Sequence, residues 1–127
     1  MKKKVLIIED DNFIASLMIE GLKKSGFDFD VDLAFNGEEG LKKIEEKIPD
    51  LILLDIILPG IGGFEILEKL KNEEKTKQIP VIIVSNLGSQ DEIQKGLKLG
   101  AISYFIKAHI LPDELAREVD KVLKEKS

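Results

Sequence analysis

An α/β fold, with a five-stranded parallel sheet doubly wound in the order 2-1-3-4-5, is what this sequence predicts. Three observations carry that prediction. Five short apolar runs alternate with five helical patterns along the 127 residues. The first, third, fourth and fifth runs are apolar on both faces, as strands covered by helices on both sides must be. Charged or hydroxyl residues end those same four runs, where the strand ends of such a sheet form its functional crevice.

The expected strands are Lys4–Ile8, Phe29–Ala34, Leu51–Leu54, Val81–Val84 and Ile102–Ile106. A first helix over Phe13–Lys24 places Phe13, Ile14, Leu17, Met18 and Leu22 on one face and stops at Gly26, while Asp11 or Asn12 caps its start. Asn36-Gly37 suits a hairpin turn, but helical periodicity follows it, so Asn36 with Glu39 three residues on reads as the cap of a second helix. The third helix runs over Gly63–Asn72. A fourth, Gln90–Leu99, lies between a Ser89/Glu92 capping box and Gly100. In the fifth, Pro112–Lys124, the residues Leu115, Val119, Val122 and Leu123 form the buried stripe.

Composition narrows the function class. With 43% hydrophobic and 34% charged residues, the chain is expected to fold as one domain over 1–127. There are no cysteines, which removes disulfides and thiolate zinc sites and fits a reducing compartment such as the cytoplasm. Behind Met1-Lys2-Lys3-Lys4 the apolar run Val5–Ile8 is broken by Glu9 and Asp10, too early for a signal peptide. No stretch approaches the roughly 20 apolar residues that cross a bilayer, so a soluble protein without a membrane partner is expected. A net charge of -5 argues against direct nucleic-acid binding.

The chemistry gathers at the strand ends: Glu9 and Asp10 after strand one, Asp55 after strand three, Ser85 after strand four, Lys107 after strand five. In the expected topology these meet at one edge of the sheet. Carboxylates a few ångströms apart repel by about 1 kcal/mol per pair in water and by more where solvent is excluded, so the cluster calls for a cation. Its donors are oxygens only, which suits a hard divalent ion such as magnesium, with manganese as a substitute, rather than zinc.

The segments Val5-Leu-Ile-Ile-Glu-Asp-Asp11, Asp50-Leu-Ile-Leu-Leu-Asp-Ile-Ile-Leu-Pro-Gly60, Pro80-Val-Ile-Ile-Val-Ser85 and Tyr104-Phe-Ile-Lys107 together resemble the receiver domain of two-component response regulators, a flavodoxin-like (βα)5 fold. The resemblance implies that Asp55 accepts a phosphoryl group from a histidine kinase or histidine phosphotransfer protein. Glu9, Asp10, Asp55 and the Ile57 carbonyl would hold magnesium, Ser85 would bond a phosphoryl oxygen, and Lys107 would pair with its charge. The chain would not be an enzyme in the ordinary sense, since it catalyses only its own magnesium-dependent phosphorylation and dephosphorylation. Ser85 and Tyr104 would then act as the switch, reshaping the face of the fourth helix, fifth strand and fifth helix for a protein target or a phosphorylation-dependent dimer. Ile57 and Leu87 flank the phosphoryl position and bear on its lifetime.

Against the family pattern, Ala108 follows Lys107 where proline is usual, often after a cis bond that aims the lysine, and Asn86 follows Ser85 where a very small residue is usual. His109, the only histidine, reads as a loop residue rather than a phosphodonor. A haloacid-dehalogenase phosphohydrolase needs a second aspartate two residues after its nucleophile, which Asp10-Asp11-Asn12 does not supply. A flavin carrier of the same fold needs a Ser-, Thr- or Gly-rich phosphate loop where this chain has acids. The remaining alternative is a degenerate receiver that binds a partner without phosphorylation. Ending soon after the fifth helix, the chain reads as a stand-alone receiver or as one excised from a longer regulator.

Overall fold

A computed structural model of the protein describes residues 2–126, so Met1 and Ser127, the outer limits of the expected domain, lie outside the described residues. The elements follow in strict alternation: β1 Lys3–Ile8, α1 Asn12–Lys24, β2 Phe29–Ala34, α2 Gly37–Glu46, β3 Leu51–Leu54, α3 Gly63–Asn72, β4 Val81–Ser85, α4 Gln90–Lys98, β5 Ser103–Ile106 and α5 Pro112–Lys126. The sheet order is β2-β1-β3-β4-β5, and every pairing is parallel. The expected fold is therefore the observed one.

Strand alternation divides the core in two. Val5, Ile7, Leu51, Leu53, Ile82 and Val84 face α1 and α5, meeting Met18 and Leu22 of the one and Leu115, Ala116, Val119, Val122 and Leu123 of the other. Leu6, Ile8, Ile52, Leu54, Val81 and Ile83 face the opposite side, where Ile44 of α2 and Ile66, Leu67 and Leu70 of α3 cover them. The buried stripe expected of the last helix is borne out. Among the described residues, no helix is long and apolar enough to cross a membrane.

Local signals set the helix starts. Asp11 accepts from the N–H groups of Phe13 and Ile14, Asn36 accepts from Glu39 N–H, and Ser89 with Glu92 forms the reciprocal capping box. Gly26, Gly60 and Gly100 take positive φ values of 89°, 74° and 116° at the chain reversals.

Other expectations are corrected. Phe13 and Leu17 are 71% and 40% exposed, so the α1 face that packs is Ala15, Met18 and Leu22, flanked by the partly buried Ile14 and Ile19. Helical spacing identified a stripe, but at roughly 100° per residue Phe13 and Leu17 fall outside the arc centred on Ala15, Met18 and Leu22. β4 extends to Ser85 and β5 begins at Ser103 instead of Ile102, which is 42% exposed. β5 is an edge strand, half-buried throughout, because it pairs only with β4 and α4 buries only Gly96. Lys107 does not end the strand; it opens a short 3-10 turn, Lys107–His109.

Candidate functional site

Parallel strands of similar length bring their carboxyl ends to one edge, and the loops there carry the residues singled out above. Glu9 follows β1, with its N–H on the Ala34 carbonyl at 3.0 Å, and Asp55 follows β3, with its N–H on the Ile8 carbonyl at 3.1 Å. Both therefore continue the sheet ladder, which holds their side chains against it at 1% and 4% exposure. Ser85 is fully buried, whereas Asp10 is exposed.

Lys107 reaches into the cluster from the far side of the sheet. Its Nζ lies 2.6 Å from Asp55 Oδ2 and 2.7 Å from Glu9 Oε1. Burial alone would lower the ammonium's pKa, but its contacts with the Asp55 and Glu9 carboxylates outweigh it and hold the pKa above its ordinary value. Burial pushes the Glu9 carboxyl up, and neighbouring Asp55 adds to this, while Lys107 and the Asp11 N–H, 3.0 Å from Oε2, act in the opposite direction.

Two features make the cluster a fit for a cation. One oxygen from each of Glu9, Asp10 and Asp55 lies within 4.8 Å of the others. Glu9 Oε1 is buried without an aligned hydrogen bond, its contact with Lys107 being an ion pair only. With all groups ionised, three carboxylates and one ammonium leave two negative charges, the complement of one divalent ion, and the donor set is the one a hard cation takes.

The β4–α4 loop is tied to the same centre. Ser85 Oγ accepts from Leu87 N–H at 3.3 Å, and the Tyr104 hydroxyl donates to the Leu87 carbonyl, so the Leu87 backbone links the hydroxyl to the aromatic. Tyr104 is half-buried; desolvation raises its phenol pKa, the charges of Glu92 and Asp55 add to this, and Ser85 offsets part of it. Ile57 N–H donates to Asp55 Oδ1 at 3.3 Å while its side chain is 56% exposed, and Leu87 is half-buried against the α3-side core. His109 is exposed in the 3-10 turn.

Glu9, Asp10, Asp55 and Lys107 thus come together at this edge with Ile57 bonded to Asp55, while Ser85, Leu87 and Tyr104 are linked to one another beside it. Two contacts were not foreseen. Glu38 of α2 accepts from Ile61 N–H at 3.1 Å and so pins the loop after Asp55, and Asn86 Oδ1 accepts from Ala108 N–H at 3.2 Å. Only the second had a signal in the sequence, since both partners depart from the family pattern.

Comparison with known proteins gives the same placement. The family model for the response regulator receiver domain matches residues 5–120. The alkaline phosphatase synthesis transcriptional regulatory protein PhoP of Bacillus subtilis is 35% identical over 98% of this chain and 50% of its own length. The chain spans about half the length of the first curated relatives it matches. Among solved structures, the Francisella response regulator 1452 receiver domain superposes with a TM-score of 0.89 at 32% identity, covering 99% of this chain and 100% of that one. The Mn(2+)-bound form of response regulator Rcp1 superposes with a TM-score of 0.82 at 27% identity, covering 94% and 91%. With a family match that takes in all five strands but the first two residues of β1, and every strand-end residue of the cluster, the chain belongs to the response regulator receiver domains of two-component systems.

Proposed function

We propose that this receiver takes its phosphoryl group on Asp55, from a histidine kinase or histidine phosphotransfer protein, and that magnesium is the ion held by Glu9, Asp10, Asp55 and the Ile57 carbonyl. The observation that carries the reading is Lys107 Nζ between two buried carboxylates, 2.6 Å from Asp55 and 2.7 Å from Glu9. An Asp55 oxygen attacks phosphorus, forming the O–P bond as the bond to the donor's imidazole nitrogen breaks, and no general base is required. Bound magnesium supplies charge neutralisation at the phosphoryl oxygens, a role supported by the fit of the acidic cluster and by the manganese-bound relative. Lys107 turns from the carboxylate to the new phosphoryl charge. Ser85 donates its hydroxyl to a phosphoryl oxygen, and the loss of its Leu87 contact passes to Tyr104 through the Leu87 backbone.

The readout face is α4-β5-α5, bound by a downstream protein or a second copy of the chain. Its thin cover supports this, since α4 buries only Gly96 and Leu97 and Ile102 are 39% and 42% exposed.

Incubation with acetyl phosphate and magnesium, followed by intact mass and peptide mapping, is expected to add one phosphoryl group at Asp55. Withholding magnesium should abolish the gain. Undiminished labelling of Asp55→Asn would overturn the assignment, and an unlabelled wild type would favour the phosphorylation-independent interaction module.

The phosphoryl group is expected to be long-lived. Neither Ile57 nor Leu87 carries a polar side-chain atom with which to orient a water in line with the O–P bond, so the positioning contribution to hydrolysis is absent. Replacing Ile57 by Asn together with Leu87 by Glu should speed phosphate release by roughly tenfold, about 1.4 kcal/mol of barrier. Equal decay of wild type and double variant in a phosphate-release assay would show that these side chains do not gate the water.

A further inference from the structure

We propose that Asn86 is a positioning residue for Lys107, holding the turn that carries the lysine through the hydrogen bond from Ala108 N–H to its own Oδ1. The inference rests on the role assigned to Lys107 above and concerns how this chain aims that residue.

β4 and β5 pair in parallel as far as Ser85 and Ile106. Beyond that pair the backbones turn away, β4 into the loop before α4 and β5 into the Lys107–His109 turn, so the ladder has no further backbone partner for the next N–H. Asn86, one residue past Ser85, extends its amide across the gap, and Ala108 N–H donates to Oδ1 at 3.2 Å. The side chain thus replaces the ladder bond that the diverging strands no longer make. Ile106 packs closely under the same loop, where a Cβ on Gly88 would stand 2.8 Å from its Cδ1.

The atom held is the informative one. Ala108 N shares a rigid peptide plane with the carbonyl of Lys107, so holding it, with Ile106 held in the ladder, restrains the Lys107 backbone from both sides and with it the Cα from which that side chain leaves. From there a flexible four-carbon stem must deliver Nζ to Asp55 Oδ2 at 2.6 Å. Among the described residues no peptide bond is cis, so the Lys107–Ala108 bond is trans, and a proline at 108 would have no N–H to offer. Two departures from the family pattern, Asn86 and Ala108, are therefore acceptor and donor of one bond. Ser85 ends β4 directly before Asn86, and Leu87 follows it, which places the hydroxyl and the ammonium on segments joined directly to each other.

The test compares wild type, Asn86→Ala, Lys107→Met and the double variant, all with magnesium. Asn86 is exposed, so its replacement leaves the core untouched. In Asn86→Ala the Ala108 amide proton should move upfield and exchange faster, the Lys107 ammonium resonance should shift or broaden, and labelling by acetyl phosphate should slow roughly fivefold or more. In the Lys107→Met background the same replacement should leave the labelling rate unchanged. An unchanged Lys107 resonance and rate in Asn86→Ala would overturn the proposal, as would an equal slowing with and without Lys107. Failure of wild type to label at Asp55 would instead overturn the phosphoacceptor reading, and the Lys107 resonance would still decide the positioning role.

Discussion

Replacing Lys107 by methionine is expected to destabilise the metal-free protein by about 3 kcal/mol or more, the usual consequence of removing one partner from a buried ion pair. Methionine keeps much of the stem's volume, so the loss is one of charge. Glu9 and Asp55, at 1% and 4% exposure, are left side by side with no cation between them. Either one must take up a proton or water must enter, and both weaken the ends of β1 and β3. Magnesium should restore much of the loss, because an ion bound only by the native state adds about 2.7 kcal/mol at a hundred times its dissociation constant. Glu9→Gln with Asp10→Asn should remove that magnesium response. Adding Asp55→Asn to the lysine variant should recover stability without metal, because the repulsion it relieves is the one the first change created. Urea unfolding at neutral pH, with and without magnesium, checks all four, and a loss below about 1 kcal/mol for Lys107→Met would place the carboxylates in a wetter site than the structure shows.

Gly63→Ala is expected to cost about 3 kcal/mol and to slow phosphoryl uptake with it. A Cβ at Gly63 would stand 2.3 Å from the Asp55 carbonyl oxygen and 2.6 Å from Ile56 Cα. Both are backbone atoms, so no rotamer change relieves the overlap, and either the end of β3 or the start of α3 must move. Gly63 N–H also donates to the Ile56 carbonyl at 3.0 Å, so the displacement falls on the segment that aims Asp55. Gly62 is the control. It lies outside the left-handed region with φ at -78°, and the nearest atom to its Cβ is 3.8 Å away, so Gly62→Ala should cost under about 1 kcal/mol as a poorer helix cap. Thermal unfolding and acetyl phosphate time courses of the pair separate the two. Equal behaviour of both variants would contradict the close approach at Gly63.

What the sequence by itself determined were the features set by neighbours along the chain. The caps at Asp11, Asn36 and Ser89 act over two or three residues, and the stripe of α5 repeats at helical spacing. The apolar runs of β1, β3 and β4 admit only a sheet covered on both sides, and that topology brings Glu9, Asp10, Asp55, Ser85 and Lys107 to one edge. Tertiary structure alone decided the rest. Phe13 and Leu17 carry the same spacing as Met18 and Leu22, yet they are exposed, because spacing alone does not say which part of a wide apolar arc the sheet and α5 cover. The bond from Lys107 to Asp55 spans 52 residues, and that from Ala108 to Asn86 spans 22. Contacts of that range have no period and no local propensity to betray them. They exist because parallel pairing sets the strand ends side by side, and only then does the direction of each side chain decide which partner it reaches.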